Sequence, residues 1–138
     1  MSRIAAAFAT LLAIAPLGAA AQSAEDAAGI RAAILNQVEA MRADDWSRAF
    51  TFASPTIQGL FGDAENFSRM VTTGYPMVWR PRSQRAGALS ETPLGLMQTM
   101  VFEDGEGRFF IADYLMQMVD GEWRINGVTI RPAPTESA

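Results

Sequence analysis

The chain changes its hydrophobic period once. From Ser23 the apolar positions Ile30, Ile34, Val38 and Met41 recur every three to four residues, the spacing of an amphipathic helix. From Leu94 onward apolar and polar positions alternate, in runs bounded by Asp104-Gly105-Glu106-Gly107 and by Asp120-Gly121, as in strands joined by tight turns. Asp-Gly between alternating runs is a strong hairpin signal, because Gly accepts positive φ without a steric cost. Helices first and strands afterwards is the order of an α+β domain whose helices lie on one face of an antiparallel sheet.

The pattern predicts a first helix over Ser23 to Met41, with Glu25 and Asp26 near its start. Asp44-Asp45 caps a second, short helix through Trp46, Ala49, Phe50 and Phe52, which Ser54-Pro55 ends. A third covers Ala64 to Thr73 and turns Phe67, Met70 and Val71 inward, with Gly74 after it. Tyr75 to Trp79 is short and aromatic, and Pro76 and Pro81 confine it to a sheet edge or a loop. Strands are expected at Ser83 to Ser90, Leu94 to Glu103, Arg108 to Val119 and Glu122 to Arg131, before an unstructured tail from Pro132 to Ala138.

Strand parity sorts the two sheet faces. A two-residue turn at Asp120-Gly121 sets Met118 opposite Trp123 and Met116 opposite Ile125, with Phe110, Ala112 and Tyr114 on the same face. A four-residue connection at Asp104 to Gly107 adds Met97, Thr99 and Val101 to that face. Gln98, Met100 and Phe102 then join Ile111, Asp113 and Leu115 on the other. That second face mixes Asp113 and Gln98 with large apolar residues, as an interface with another subunit or the wall of a pocket does. Gly127 is expected to be a bulge, because Val128 and Ile130 rejoin the apolar face only if parity slips there.

Ahead of the first helix, Arg3, the apolar run Ile4 to Leu17 and Ala19-Ala20-Ala21 before Gln22 form the pattern of a cleaved secretory signal. The apolar run is too short to read first as a membrane span; the competing reading is an uncleaved anchor. No Cys follows it, which excludes a lipoprotein anchor. The expected organisation is a signal over 1–21, a single α+β domain over 22–131 and a tail over 132–138. The mature protein is expected to be periplasmic or secreted, without stable membrane insertion.

Composition narrows the chemistry. Against 15 acidic residues stand 11 basic ones, all arginine, for a net charge of −4. The nearest thing to a basic patch is Arg80, Arg82 and Arg85 beside two prolines, so no nucleic-acid partner is expected. With no Cys the domain holds itself by packing, and with no His or Cys the usual general base, thiol nucleophile, Ser-His triad and zinc sets fall away.

Carboxylates, tyrosines and arginines remain. Asp113 is the one acid inside a strand; in an apolar cavity desolvation would make it a proton acceptor or donor, and otherwise it is a structural carboxylate paired with Gln98. Tyr75, Trp79, Gln98 and Tyr114 are the candidate ligand-binding residues. Tyr75, Trp79 and Tyr114, with Trp46, line a pocket mouth in that reading and are core in the bland one. Met97, Met100, Met116 and Met118 resemble thioether sets for Cu(I), but alternation equally makes them core fillers, and no metal or other cofactor is expected.

The run Ala43-Asp44-Asp45-Trp46-Ser47-Arg48-Ala49-Phe50-Thr51-Phe52-Ala53-Ser54-Pro55, with Phe61-Gly62, Phe67, Tyr75 and the closing Asp120-Gly121-Glu122-Trp123-Arg124-Ile125-Asn126-Gly127, resembles the domain-of-unknown-function 4864 family. The resemblance spans nearly the whole mature chain. It implies a fold similar to nuclear transport factor 2-like and ketosteroid-isomerase-like domains: a cone-like curved antiparallel sheet packed on about three N-terminal helices, with a cavity at the open end. Such domains often dimerise through the outer sheet face.

Some members of that wider superfamily are isomerases, dehydratases or cyclases with a carboxylate or His in the cavity, and many only bind. No His occurs here, and no catalytic position carries over. The expected function is an exported, non-catalytic module for a small apolar ligand or a protein partner, as a homodimer. The alternative is a carboxylate-dependent isomerase or lyase acting on a small apolar substrate through Asp113, with Tyr114 or Tyr75. Parity places Asp113 and Tyr114 on opposite faces, so one pocket takes both only through a bulge.

Overall fold

Asp45, Ser54 and Asp63 each open a helix in the same way, a side-chain oxygen accepting the backbone N–H three residues on. The computed structural model describes residues 17–134. Among the described residues five helices come first: α1 (Leu17–Arg42), α2 (Trp46–Thr51), α3 (Pro55–Phe61), α4 (Ala64–Gly74) and α5 (Pro76–Trp79). Four strands follow: β1 (Ser83–Thr92), β2 (Gly95–Glu103), β3 (Phe109–Val119) and β4 (Glu122–Pro132). They form one antiparallel sheet in the order β1-β2-β3-β4, a meander. The leader reading of 1–21 falls mostly on residues outside those described, as do the last residues of the tail, 135–138.

Two helices depart from expectation. Ser54-Pro55 ends α2 but also begins α3: Ser54 is the N-cap and Pro55 occupies the first turn, where its missing N–H and fixed φ do no harm. Tyr75 to Trp79 is neither sheet edge nor loop, since Pro76 starts the short helix α5. In place of the expected three helices, the described residues form five. Pro132 also belongs to β4, and Ala133 still donates to the Phe109 carbonyl at 2.9 Å.

The parity of β2 is corrected as well. Glu103 pairs with Phe109, and Asp104 N–H donates to the Arg108 carbonyl at 2.8 Å, which leaves three residues, Gly105-Glu106-Gly107, to make the turn. Gly107 takes φ +79° there, a conformation that costs a side-chain-bearing residue. An odd connection in place of the expected four residues moves every β2 side chain to the opposite face. Gln98, Met100 and Phe102 thus sit opposite Tyr114, Ala112 and Phe110, whereas Met97, Thr99 and Val101 sit opposite Leu115, Asp113 and Ile111. Gln98 and Asp113 lie on different faces.

The slip at Gly127 is present. Met116 pairs with Ile125 but Leu115 pairs with Gly127, so Asn126 is the extra residue and Val128 and Ile130 return to the face of Tyr114 and Ala112.

The core lies between the helices and the face carrying Met100, Phe102, Ala112, Tyr114, Met116 and Ile125. Helix α1 contributes Ile30, Ile34, Val38 and Met41, all buried, as its spacing requires. Around Phe67 of α4 the rings of Trp46, Phe50 and Phe61 gather with centroids 5.5 to 6.2 Å away. Apolar packing of this kind is the main favourable term in the fold.

Candidate functional site

The helix layer does not fill the sheet completely. Between them is a cavity of about 340 Å³, at the small end of the range for ligand sites. Its inner wall is formed by Gln37 and Met41 of α1, Phe67 and Val71 of α4 and Tyr114 of β3, all buried. Its mouth is flanked by the exposed Tyr75 and Val128. No lining residue is charged.

Each part of the wall has a local cause. Val71 follows Phe67 by one helical turn on the buried side of α4. Tyr114 reaches the helix face because Ala112, Tyr114 and Met116 alternate with Asp113 and Leu115 along β3. Asn126 inserts into β4, so that Val128 and Ile130 turn back toward the cavity. Gln37 is a polar residue among the inward positions of α1, and its Nε2 donates to the Ala49 carbonyl at 3.2 Å, tying α1 to α2. That exception within an apolar stripe was the available signal for Gln37, which the reading of the sequence had not singled out.

Tyr114 is almost completely buried, as is Gln98 among the candidates. Its ring packs against Phe102 with centroids 6.4 Å apart, and its hydroxyl donates to no other described residue. Burial alone acts on the phenol and pushes its pKa up, so it stays neutral and keeps its proton.

The other candidates lie elsewhere. Asp113 is on the opposite sheet face, where its Oδ1 accepts from the Thr99 hydroxyl at 2.8 Å and its Oδ2 is paired with Arg131. Partial burial acts to raise its pKa, but hydrogen bonds from Arg131 and Thr99 and the charge of Arg131 outweigh this and hold the carboxyl below its ordinary value. Gln98 is buried near the β1 edge, with its Nε2 donating to the Gly87 carbonyl at 3.0 Å and the Thr99 carbonyl at 2.9 Å. There it secures the bulge between Ala86 and Leu89.

Trp79 is half-buried at the corner of the helix layer. Its Nε1 donates to Asp44 at 3.1 Å and its ring carries the Arg80 guanidinium 4.5 Å from the centroid. Of the five candidates, Tyr75 and Tyr114 share the cavity; Asp113, Gln98 and Trp79 do not line it.

The methionines are divided too. Met100 and Met116 are buried in the core, Met97 is on the opposite face and Met118 is exposed near the β3–β4 turn. Among the described residues no group of three His, Cys, Asp or Glu side chains is placed to hold a metal ion, and no helix is long and apolar enough to cross a membrane.

Neither the curated proteins nor the solved structures contain a significant match to the chain. A family model does match: that of a domain of unknown function (DUF4864), over residues 23–138, which takes in the helix layer from Ser23, the whole sheet and both tyrosines of the cavity, and the chain belongs to that family.

Proposed function

We propose that this chain is an exported, non-catalytic domain of nuclear transport factor 2-like type that holds a small apolar molecule in the cavity between α4 and β3. The observation that carries this reading is the cavity's wall: backed by the buried Met41, Phe67, Val71 and Tyr114, open past Tyr75, and free of charged lining residues. Such a space favours an apolar body, because burying one releases water from both surfaces, and its lining holds no carboxylate to act as a base.

The placement of Asp113 weighs against the isomerase or lyase alternative. Its carboxylate is on the other side of the sheet from the cavity and is held ionised by Arg131, whereas a base working at neutral pH is most effective with a raised pKa. Export rests on the pattern of the first 21 residues. A homodimer through the outer face is supported by the half-buried Met97, Val101, Ile111 and Leu115 surrounding Asp113. Sedimentation of the protein beside Ile111→Glu tests this, and a monomer at high concentration in both would end it.

Binding is tested by titrating the protein with the neutral apolar dye Nile red, and by native mass spectrometry of protein purified gently from a periplasm. The dye is expected to bind the wild type and to lose most of its affinity for Val71→Trp, whose larger side chain fills the cavity. Equal dye binding by a folded Val71→Trp, or none by either protein, would overturn the reading.

A further inference from the structure

The cavity is apolar except at a few points, and those points restrict what fits it. Tyr114 is 1% exposed, lines the inner wall, and has a hydroxyl that donates to no other described residue. Because Tyr114 lines the cavity, an occupant that brings an acceptor to this O–H is favoured over one that does not. Gln37, on the same wall, already directs its Nε2 to the Ala49 carbonyl. No arginine lines the space, so an anionic head group would be buried there without a counter-charge.

We infer that the occupant is an uncharged molecule with an apolar body and one oxygen acceptor, a carbonyl or an ether, seated at the inner end to receive the Tyr114 hydroxyl. This rests on the ligand-binding reading given above and adds to it the chemical class of ligand and the residue that selects it. Tyr114 is a specificity residue here: the apolar wall supplies affinity for the body, and the hydroxyl supplies preference for the oxygen. The exposed Tyr75 at the mouth meets solvent and exerts no comparable selection.

Three probes of one shape separate the terms. Acetophenone carries the carbonyl, α-methylstyrene replaces that oxygen with a methylene, and benzoate replaces the methyl ketone with a carboxylate. Affinities are measured by displacement of Nile red from wild type and from Tyr114→Phe, which removes only an oxygen that has no hydrogen-bond partner among the described residues and is expected to fold.

Acetophenone is expected to bind Tyr114→Phe about fivefold more weakly than wild type, while α-methylstyrene changes by less than about twofold. Benzoate is expected to bind wild type at least about tenfold more weakly than acetophenone. A second readout needs no variant: the Tyr114 ring carbon bearing the hydroxyl is expected to shift in the NMR spectrum with acetophenone and not with α-methylstyrene.

If both neutral probes bind and Tyr114→Phe alters neither or alters them equally, the inference is overturned and the ligand-binding reading stands. Tighter binding of benzoate than of acetophenone has the same consequence. If neither neutral probe binds wild type, both fail.

Discussion

The Ser54 hydroxyl donates to Asn126 Oδ1 at 2.7 Å, joining the start of α3 to the bulge of β4 across 72 residues of sequence. The same oxygen accepts from Ile57 N–H as the helix cap, and Ser54 N–H donates to the Ile125 carbonyl at 2.8 Å. Ile125 N–H in turn donates to the Phe52 carbonyl, so Ala53 pairs with Ile125 like a short parallel strand. One fully buried residue therefore anchors the helix layer beside the cavity wall.

Ser54→Ala is expected to remove the cap and leave Asn126 without its donor, destabilising the protein by about 1–3 kcal/mol in urea unfolding. Ser54→Asn retains a capping oxygen but must fit a larger side chain, and is expected to recover only part of that loss. No loss in Ser54→Ala would show the contact to be dispensable.

Asp113 makes stability depend on acid. Its folded pKa lies below the unfolded value, so its contribution is present above the unfolded pKa and disappears as pH falls through the folded one. Between about pH 5 and pH 3 the wild type is expected to lose more stability than Asp113→Asn. At neutral pH the difference should be below about 1 kcal/mol, because Arg131 is half exposed and solvent screens the pair. Parallel acid unfolding curves for the two proteins would contradict this.

Gly29 and Gly59 are both helical glycines and are expected to respond oppositely to Ala. A Cβ on Gly59 meets nothing within 4 Å, so Gly59→Ala should gain about 0.5–1 kcal/mol of helix propensity. A Cβ on Gly29 would stand 2.9 Å from Trp123 Cδ1, where α1 crosses β4. Displacement of that ring should outweigh the propensity, giving a lower Tm for Gly29→Ala and a higher one for Gly59→Ala. Equal gains would show that Trp123 moves freely.

Gln98 is fully buried, yet it is expected to tolerate Met. Its Oε1 has no hydrogen-bond partner, an unfavourable state that Met removes while keeping the volume. Against this stand the lost donations to Gly87 and Thr99, and Gly87 is exposed enough for water to replace one of them. Gln98→Met should therefore lie within about 1 kcal/mol of wild type, whereas Gln98→Ala, which leaves a void, should cost about 2 kcal/mol or more. A large loss in Gln98→Met would mean that the amide is what holds the bulge.

Local chemistry by itself determined the α+β order, the caps at Asp45 and Asp63, the β3–β4 hairpin and the slip near Gly127. Each depends on neighbouring residues: a carboxylate accepts an N–H three positions on, and Asp120-Gly121 accommodates φ of 50° and 81° in a two-residue turn. The start of α3 was also written locally, in Ser54-Pro55, but that pair ends one helix as readily as it begins another.

Only the tertiary structure decided the faces and the cavity. How the turn after Glu103 closes turns Gln98 inward and leaves Thr99 to meet Asp113, because a one-residue change in register inverts a whole strand. Nor could spacing show that Tyr114 lines an open volume while Trp79 packs at a corner. A cavity is the space left when α1, α4 and the sheet meet, set by the relative sizes of side chains distant in the chain, and no local pattern records that difference.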